Sequence, residues 1–481
     1  MRYGSFAHRR RSKFASCLLG GLLTLVVSIN TVHATPPALT AGNFETATNE
    51  TITPFGFLNG LSRSGYLLGD MWGLRPWLSQ YGMSLAISET SEVLGNVSGG
   101  VKQGAAYDGL TQMALQLETE KAFHLYGGTF NVSGLQIHGR NLSADNLYTL
   151  QTASGIEADR ATRLWELWYQ QKFLEEDRMD LKIGQQSLDQ EFMVSQEALV
   201  FVNTMFGWPA LPSYNMPGGG PAYPLSALGV RLRARPINSL KLLGGVYSGT
   251  PAPNTNPDPQ KANPSGVSFP LDGVLAIAEL QYSYPSLGSM VSADQSSSLS
   301  GTYKIGAWYD SLHFADNGYN STAEHQGNYA FYAVMDQVLW NDPKDENSDR
   351  TINFFARAMG TPLQDRNLLN FSMNAGFTFH EPIRNRDDDT FGIGMGYARL
   401  SSGVIDADRD FNLNNPGSPV PVQSGETFVE VTYQYALTPW CTLQPDFQYV
   451  FNPGGGLPNP NASGQRIKDE PVIGLRANII F

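Results

Sequence analysis

The sequence predicts an all-β chain, a transmembrane antiparallel β-barrel of about sixteen strands with a short N-terminal helical element. Three observations predict it. Stretches of strict apolar/polar alternation recur along most of the 481 residues, each near the ten-residue span that a tilted membrane strand needs. The chain opens on an export signal, and it closes on an alternating strand whose last residue is Phe481.

The N-terminal 34 residues join a basic start to an apolar run from Cys17 to Ile29 and a small-residue stop, Val32-His33-Ala34. That is the grammar of a cleaved secretory signal peptide, the run being too short for a membrane anchor. Residues 1–34 are therefore read as signal, 35–82 as a leader with a short helix, and 83–481 as the barrel. The signal carries Arg2, Arg9, Arg10, Arg11 and Lys13 but no acid, so its removal makes a chain of net charge −12 more acidic still. Nucleic acid is excluded as a natural partner. Cys17 leaves with the signal and Cys441 stands alone, so no intramolecular disulfide framework exists.

In the leader, "LLGDMWGLRPWLSQYGM" (67–83) predicts a short helix capped by Asp70 and carrying Leu74, Trp77 and Leu78, a periplasmic or lumenal plug element. Strands follow at 83–91, 109–119, 129–138, 164–173, 179–186, 227–235, 239–247 and 274–284, then at 303–310, 331–340, 351–359, 369–379, 391–400, 427–435, 441–450 and 472–481. Links alternate in the way an up-and-down barrel requires, with long outer loops at 93–108, 139–163, 187–226, 248–273, 311–330, 401–426 and 451–471. Short inner turns fall at 175–178, 236–238 and 436–440. The link at 285–302 is long for its class, and 360–368 is short.

In a membrane barrel one strand face meets lipid and the other meets a wet lumen. "TYKIGAWYDS" (302–311) separates Tyr303, Ile305, Ala307 and Tyr309 from Lys304, Gly306, Trp308 and Asp310, so Lys304, Trp308 and Asp310 are assigned to the lumen. By the same alternation Arg231, Arg233 and Arg235 face inward opposite Val230, Leu232 and Ala234. Glu166, Trp168, Gln170 and Lys172 face inward opposite Trp165, Leu167, Tyr169 and Phe173. An arginine or lysine at the hydrocarbon midplane costs about 2–4 kcal/mol, which holds this register. A lumen of arginines, carboxylates and tryptophans suits a polar, polyhydroxylated solute: charged groups hydrogen-bond hydroxyls and an aromatic face stacks on a sugar's C–H face.

These residues carry a family resemblance. "LLGDMWGLRPWLSQYGMSL", "EVLGNVSGGVKQGAAYDG", "LQIHGRNLS", "LWELWYQQKF", "LKIGQQSLDQEF" and "RDDDTFGIGMGYARL" resemble the carbohydrate-selective porins of the OprB type, from Gram-negative outer membranes. The terminal strand, with Ile473, Leu475, Ala477, Ile479 and Phe481 on one face, resembles the assembly signal of outer-membrane barrels. The resemblance implies a sixteen-stranded barrel passing monosaccharides, glucose above all, by facilitated diffusion, through a constriction lined with arginine and acidic groups. It implies small sugars and outer-membrane lipid as partners, no cofactor and no metal, and leaves self-association into a homo-oligomer open. A general or anion-preferring diffusion porin is the alternative.

Other signals are weaker. "DADRDFNLNN" from Asp406 spaces its acids like a calcium loop, but Phe411 and Gly417 stand where an EF-hand needs glycine and glutamate. "GIGMG" (392–396) lies within a strand with no helix after it, so its glycines reduce bulk on one barrel face. The histidines are scattered, with no HExxH and no GxSxG, and the chain is read as a channel without catalysis.

Overall fold

The computed structural model describes residues 65–284, 299–342, 350–462 and 464–481. The export signal and most of the leader lie outside them. Sixteen strands run in chain order: β1 Met83–Asn96, β2 Gly104–Glu118, β3 Gly128–Gly139, β4 Ala161–Phe173, β5 Met179–Gln186, β6 Ala227–Ile237, β7 Leu240–Tyr247 and β8 Leu275–Tyr284. The second half is β9 Gly301–Ala315, β10 Glu324–Asn341, β11 Thr351–Gly360, β12 Leu369–His380, β13 Thr390–Leu400, β14 Gly425–Thr438, β15 Cys441–Phe451 and β16 Glu470–Ile480. Each pairs antiparallel with its chain neighbours, and β1 pairs with β16, Ser88 opposite Ile480 through Asn96 opposite Val472, closing the barrel. Closure leaves no strand edge unpaired, as lipid demands. The seam is reinforced from inside where Arg476 Nε donates to Glu92 at 2.8 Å.

The alternation carries through to the walls. On β9, Ile305 is 61% exposed on the outer surface while Lys304 is 6% and Asp310 0% exposed on the inner one. The outer face of β16 likewise presents Ile473 and Leu475. Several strands outrun the expected spans, because alternation continues past the apolar runs that marked them. β1 and β2 reach so far that their link is only 97–103, and β9 and β10 leave only 316–323 between them.

Two local expectations are corrected. Trp165 was assigned to the lipid face, but β3–β4 pairing jumps from Ser133–Glu166 to Gly134–Leu164, a bulge at Trp165 that turns its ring inward, edge-on to Tyr223 at 6.4 Å. The leader helix, α1 (Leu74–Gln80), is not capped by the Asp70 side chain: Gly73, at φ 87°, occupies the cap position, and Asp70 contributes only its carbonyl, which accepts from the Arg75 amide. α1 packs on the short-turn end of β1, where Arg75 Nη1 donates to the Leu85 carbonyl at 2.8 Å and Arg75 also bonds the terminal Phe481. The filling of the lumen falls to two long loops instead. The 402–414 stretch is an α-helix with Asp406 paired to Arg409 at 2.9 Å, so its acids do not adopt a calcium-loop arrangement.

Candidate functional site

The 187–226 and 140–160 loops fold into the barrel and join one another. Gly155 N–H donates to the Val202 carbonyl at 2.8 Å, Thr204 N–H to Thr152 at 3.1 Å, and Tyr223 Oη to the Ile156 carbonyl at 3.0 Å. Phe192, Phe201, Phe206 and Trp208, the aromatics of the longer loop, are all buried. Phe201 and Phe206 stack at 4.3 Å between ring centres and lean on Phe355 and Phe428 of the wall. They fit because β13 is nearly bare there: a Cβ at Gly394 would lie 2.7 Å from the Phe206 ring and one at Gly392 2.9 Å from Phe201. The glycines of "GIGMG" thus create the seat for the loop aromatics.

Backbone N–H and C=O groups inside a barrel need partners as much as those in a sheet do. Here the wall supplies them. Glu430 accepts from the Val202 and Asn203 amides at 2.6 and 3.0 Å, and Glu426 from Leu150, Gln151 and Gly454 at 2.8, 2.7 and 2.6 Å. Glu279 accepts from Met193 at 2.8 Å and Asp336 from Gln196 at 3.2 Å. Carbonyls are met by cations and amides: Arg357 donates to Met193, Gly207 and Phe206 at 2.8, 2.9 and 3.0 Å and also to Met205, while Gln444 donates to Val200 at 2.7 Å. None of these anchors was singled out from the sequence. The signal that marks them is a charged or amide residue at an inward position of an otherwise apolar strand.

The nine assigned lumenal residues all lie on inward positions, but at different heights and with different neighbours. Arg231 is 2% exposed, ion-paired with Asp180 and donating through Nη2 to Glu191 of the folded loop at 3.0 Å. Arg233 shares Asp180 and keeps a third of its side chain open to the lumen. Arg235 reaches the Glu176 carbonyl at 2.8 Å and Lys172 pairs with Asp177 at 2.9 Å, both at the short-turn rim. Glu166 accepts from the Ser187 amide at 3.0 Å and from Trp168 Nε1 at 3.3 Å. Lys304 donates to the Val194 carbonyl at 2.6 Å. Trp308 is sealed among Phe192, Met193 and Trp208, and Asp310 is buried near the long-loop end, accepting from Leu312 N–H at 2.8 Å.

Beside Trp168 the longer loop, at Gln190 and Glu191, leaves a gap against the β2–β5 wall. A cavity of about 240 Å³ remains, lined by Gln112, Gln116, Asn131, Trp168, Lys182 and Glu191 among others. Lys182 Nζ stands 4.4 Å over the Trp168 ring and pairs with Glu191. Burial alone would raise the Glu191 carboxyl, but Lys182 and Arg231 outweigh it and lower it to about 2. The result is an aromatic face among fixed, charged hydrogen-bonding groups.

A closed sixteen-strand barrel, apolar outside and narrowed by inward-folded loops, is an outer-membrane diffusion porin by architecture. The comparisons sharpen this. The sequence pattern of the family described as "Carbohydrate-selective porin, OprB family" matches residues 102–481, and the chain belongs to that family. It is accordingly a non-enzymatic channel of the outer membrane. Porin B of Pseudomonas aeruginosa is 23% identical over 442 residues, 85% of this chain and 92% of that protein. The high-pH structure of Pseudomonas putida OprB superimposes with a TM-score of 0.74 at 21% identity, covering 87% of this chain and 99% of that one, and the low-pH structure with 0.54 at 16%. These two likenesses show the fold.

Proposed function

We propose that the channel passes monosaccharides such as glucose by facilitated diffusion, and that the solute is held at the cavity beside Trp168. The observation that carries this reading is the half-buried Trp168 ring lining a cavity together with Glu166, Lys182 and Glu191, whose positions are held by loop and wall contacts. A pyranose offers an apolar C–H face and a rim of hydroxyls, and such a site answers both. Glu166, Trp168, Lys172, Arg233 and Arg235 form the solute-facing path in this reading. Arg231, Lys304, Trp308 and Asp310 act from behind the loops as its supports.

Export by cleavage of residues 1–34, and seating of the outer apolar belt in outer-membrane lipid, belong to the same proposal. Liposome swelling with glucose and larger saccharides tests it. Uptake of glucose should saturate, and Trp168→Ala should weaken the half-saturating concentration by about fivefold, the order of one lost aromatic contact. Unsaturable uptake, or unchanged kinetics in the variant, would refute the site.

A further inference from the structure

The lipid-facing side of the barrel is apolar along most strands. β6 presents Val230 and Leu232, and β16 presents Ile473, Leu475, Ala477 and Ile479. β1–β3 break the pattern. Glu89 lies at an outward position halfway along β1, opposite Ile479 of β16 on one side and Thr111 of β2 on the other, with Gln136 of β3 beyond Thr111. Away from strand ends it is the only acid at an outward position of the described strands. The next row toward the long loops holds Ser91, Gly109 and His138, and Tyr107 follows on β2.

These side chains bond to one another. Thr111 Oγ1 donates to Glu89 at 2.5 Å, Ser91 Oγ donates to Glu89 at 3.1 Å, and the Ser91 and Tyr107 hydroxyls meet at 3.0 Å. His138 Nε2 lies 3.2 Å from Tyr107 Oη and 3.5 Å from the Glu89 carboxylate, while Nδ1 lies 2.8 Å from Gln136 Oε1. Gly109 makes room for the imidazole, because a Cβ there would run into it. The cluster nevertheless stays open on its outer side: Tyr107 and Gln136 are exposed and the His138 side chain is half-buried.

An acid and an imidazole turned toward hydrocarbon are costly, and bonds within the cluster satisfy only their lateral sides. A lipid phosphate would meet the Glu89 carboxylate like on like. We propose that this patch docks a second copy of the chain in a cyclic assembly about the membrane normal. In such an assembly one flank of a subunit meets the opposite flank of the next, so β1 of one copy comes against β3 of the other. Glu89 of each subunit then faces His138 of its neighbour, and the bare backbone at Gly109 lets the two surfaces approach closely. The inference concerns the outer wall alone and stands apart from the sugar reading.

The test is disulfide trapping of the full chain in outer membranes, with the buried Cys441 replaced by alanine throughout. Met113→Cys, one outward step from Thr111 on β2, should give an oxidised band of twice the subunit mass. Ala333→Cys, an exposed outward position of β10 on the far side of the barrel, should not. Glu89→Gln and His138→Gln, each combined with Met113→Cys, should slow trapping about fivefold, the order of one polar contact between membrane segments. Unchanged single-channel conductance reports that each variant has folded and inserted. Failure of Met113→Cys to trap, equal trapping at Ala333→Cys, rates unmoved by both polar substitutions, or a band containing a different protein would each overturn the proposal.

Discussion

The two sides of the lumen use one sequence pattern for different ends. On β11–β15, inward positions hold Arg357, Gly392, Gly394, Glu426, Glu430 and Gln444, and every polar group among them bonds the backbone of a folded loop. On β4–β8, Glu166 and Glu279 also hold loop amides, but Lys182, Arg231 and Arg233 pair with carboxylates instead, beside a cavity that Trp168 and Lys182 line. A polar residue facing inward is thus either a fastener or a working surface. What separates them is whether a loop comes within hydrogen-bonding distance.

This contrast can be broken first at Arg231. Arg231→Ala removes the shared cation between buried Asp180 and Glu191, a loss of roughly 3–5 kcal/mol in local stability. The working wall should lose its geometry, so saturable glucose uptake should fall well before bulk conductance changes. Equal falls in both would show that the ion pairs only hold the barrel together.

The opposite wall should respond the other way. Arg357→Ala leaves the carbonyls of Met193, Met205, Phe206 and Gly207 without their charged donor, at roughly 1.5–3 kcal/mol for the strongest contact. Loosening the loop there should raise single-channel conductance and its noise, and expose the 187–226 loop to protease. An unchanged conductance would count against the fastener role.

The smallest expected effect is with pH. A carboxyl lowered in the folded state stabilises fully above its ordinary range and loses that contribution as pH falls toward the folded value. Glu191, ordinarily near 4.5 and lowered to about 2, should remain ionised through mild acid. The Glu191 contribution to glucose affinity should therefore persist between about pH 7 and pH 4 and be lost only as pH falls toward 2. A decline centred on pH 4 to 5 that disappears in Glu191→Gln would mean that Lys182 and Arg231 do not hold the carboxylate.

Strand positions were legible because alternation is local, and β5, for instance, spans Met179–Gln186 as the pattern predicts, whereas β10 begins at Glu324 rather than at 331. Trp165 was misassigned because a bulge inserts one residue with no mark in a run of large side chains, and Asp70 because a polar residue before a helix resembles a cap whether or not it reaches the backbone. The solute path was half legible. Glu166, Trp168 and the arginines stood out by type, whereas Gln112, Asn131, Lys182 and Glu191 became part of the site only when distant strands and a loop met.

By itself the amino-acid order determined the number of strands, the face side chains take wherever no bulge intervenes and the membrane as solvent, since all three follow from a period of two and the cost of placing charge in hydrocarbon. Only the tertiary structure decided which inward charges are consumed by loops and which remain open to a solute. That depends on contacts such as Glu430 with Val202, separated by more than two hundred residues, and no local pattern encodes a distance of that kind.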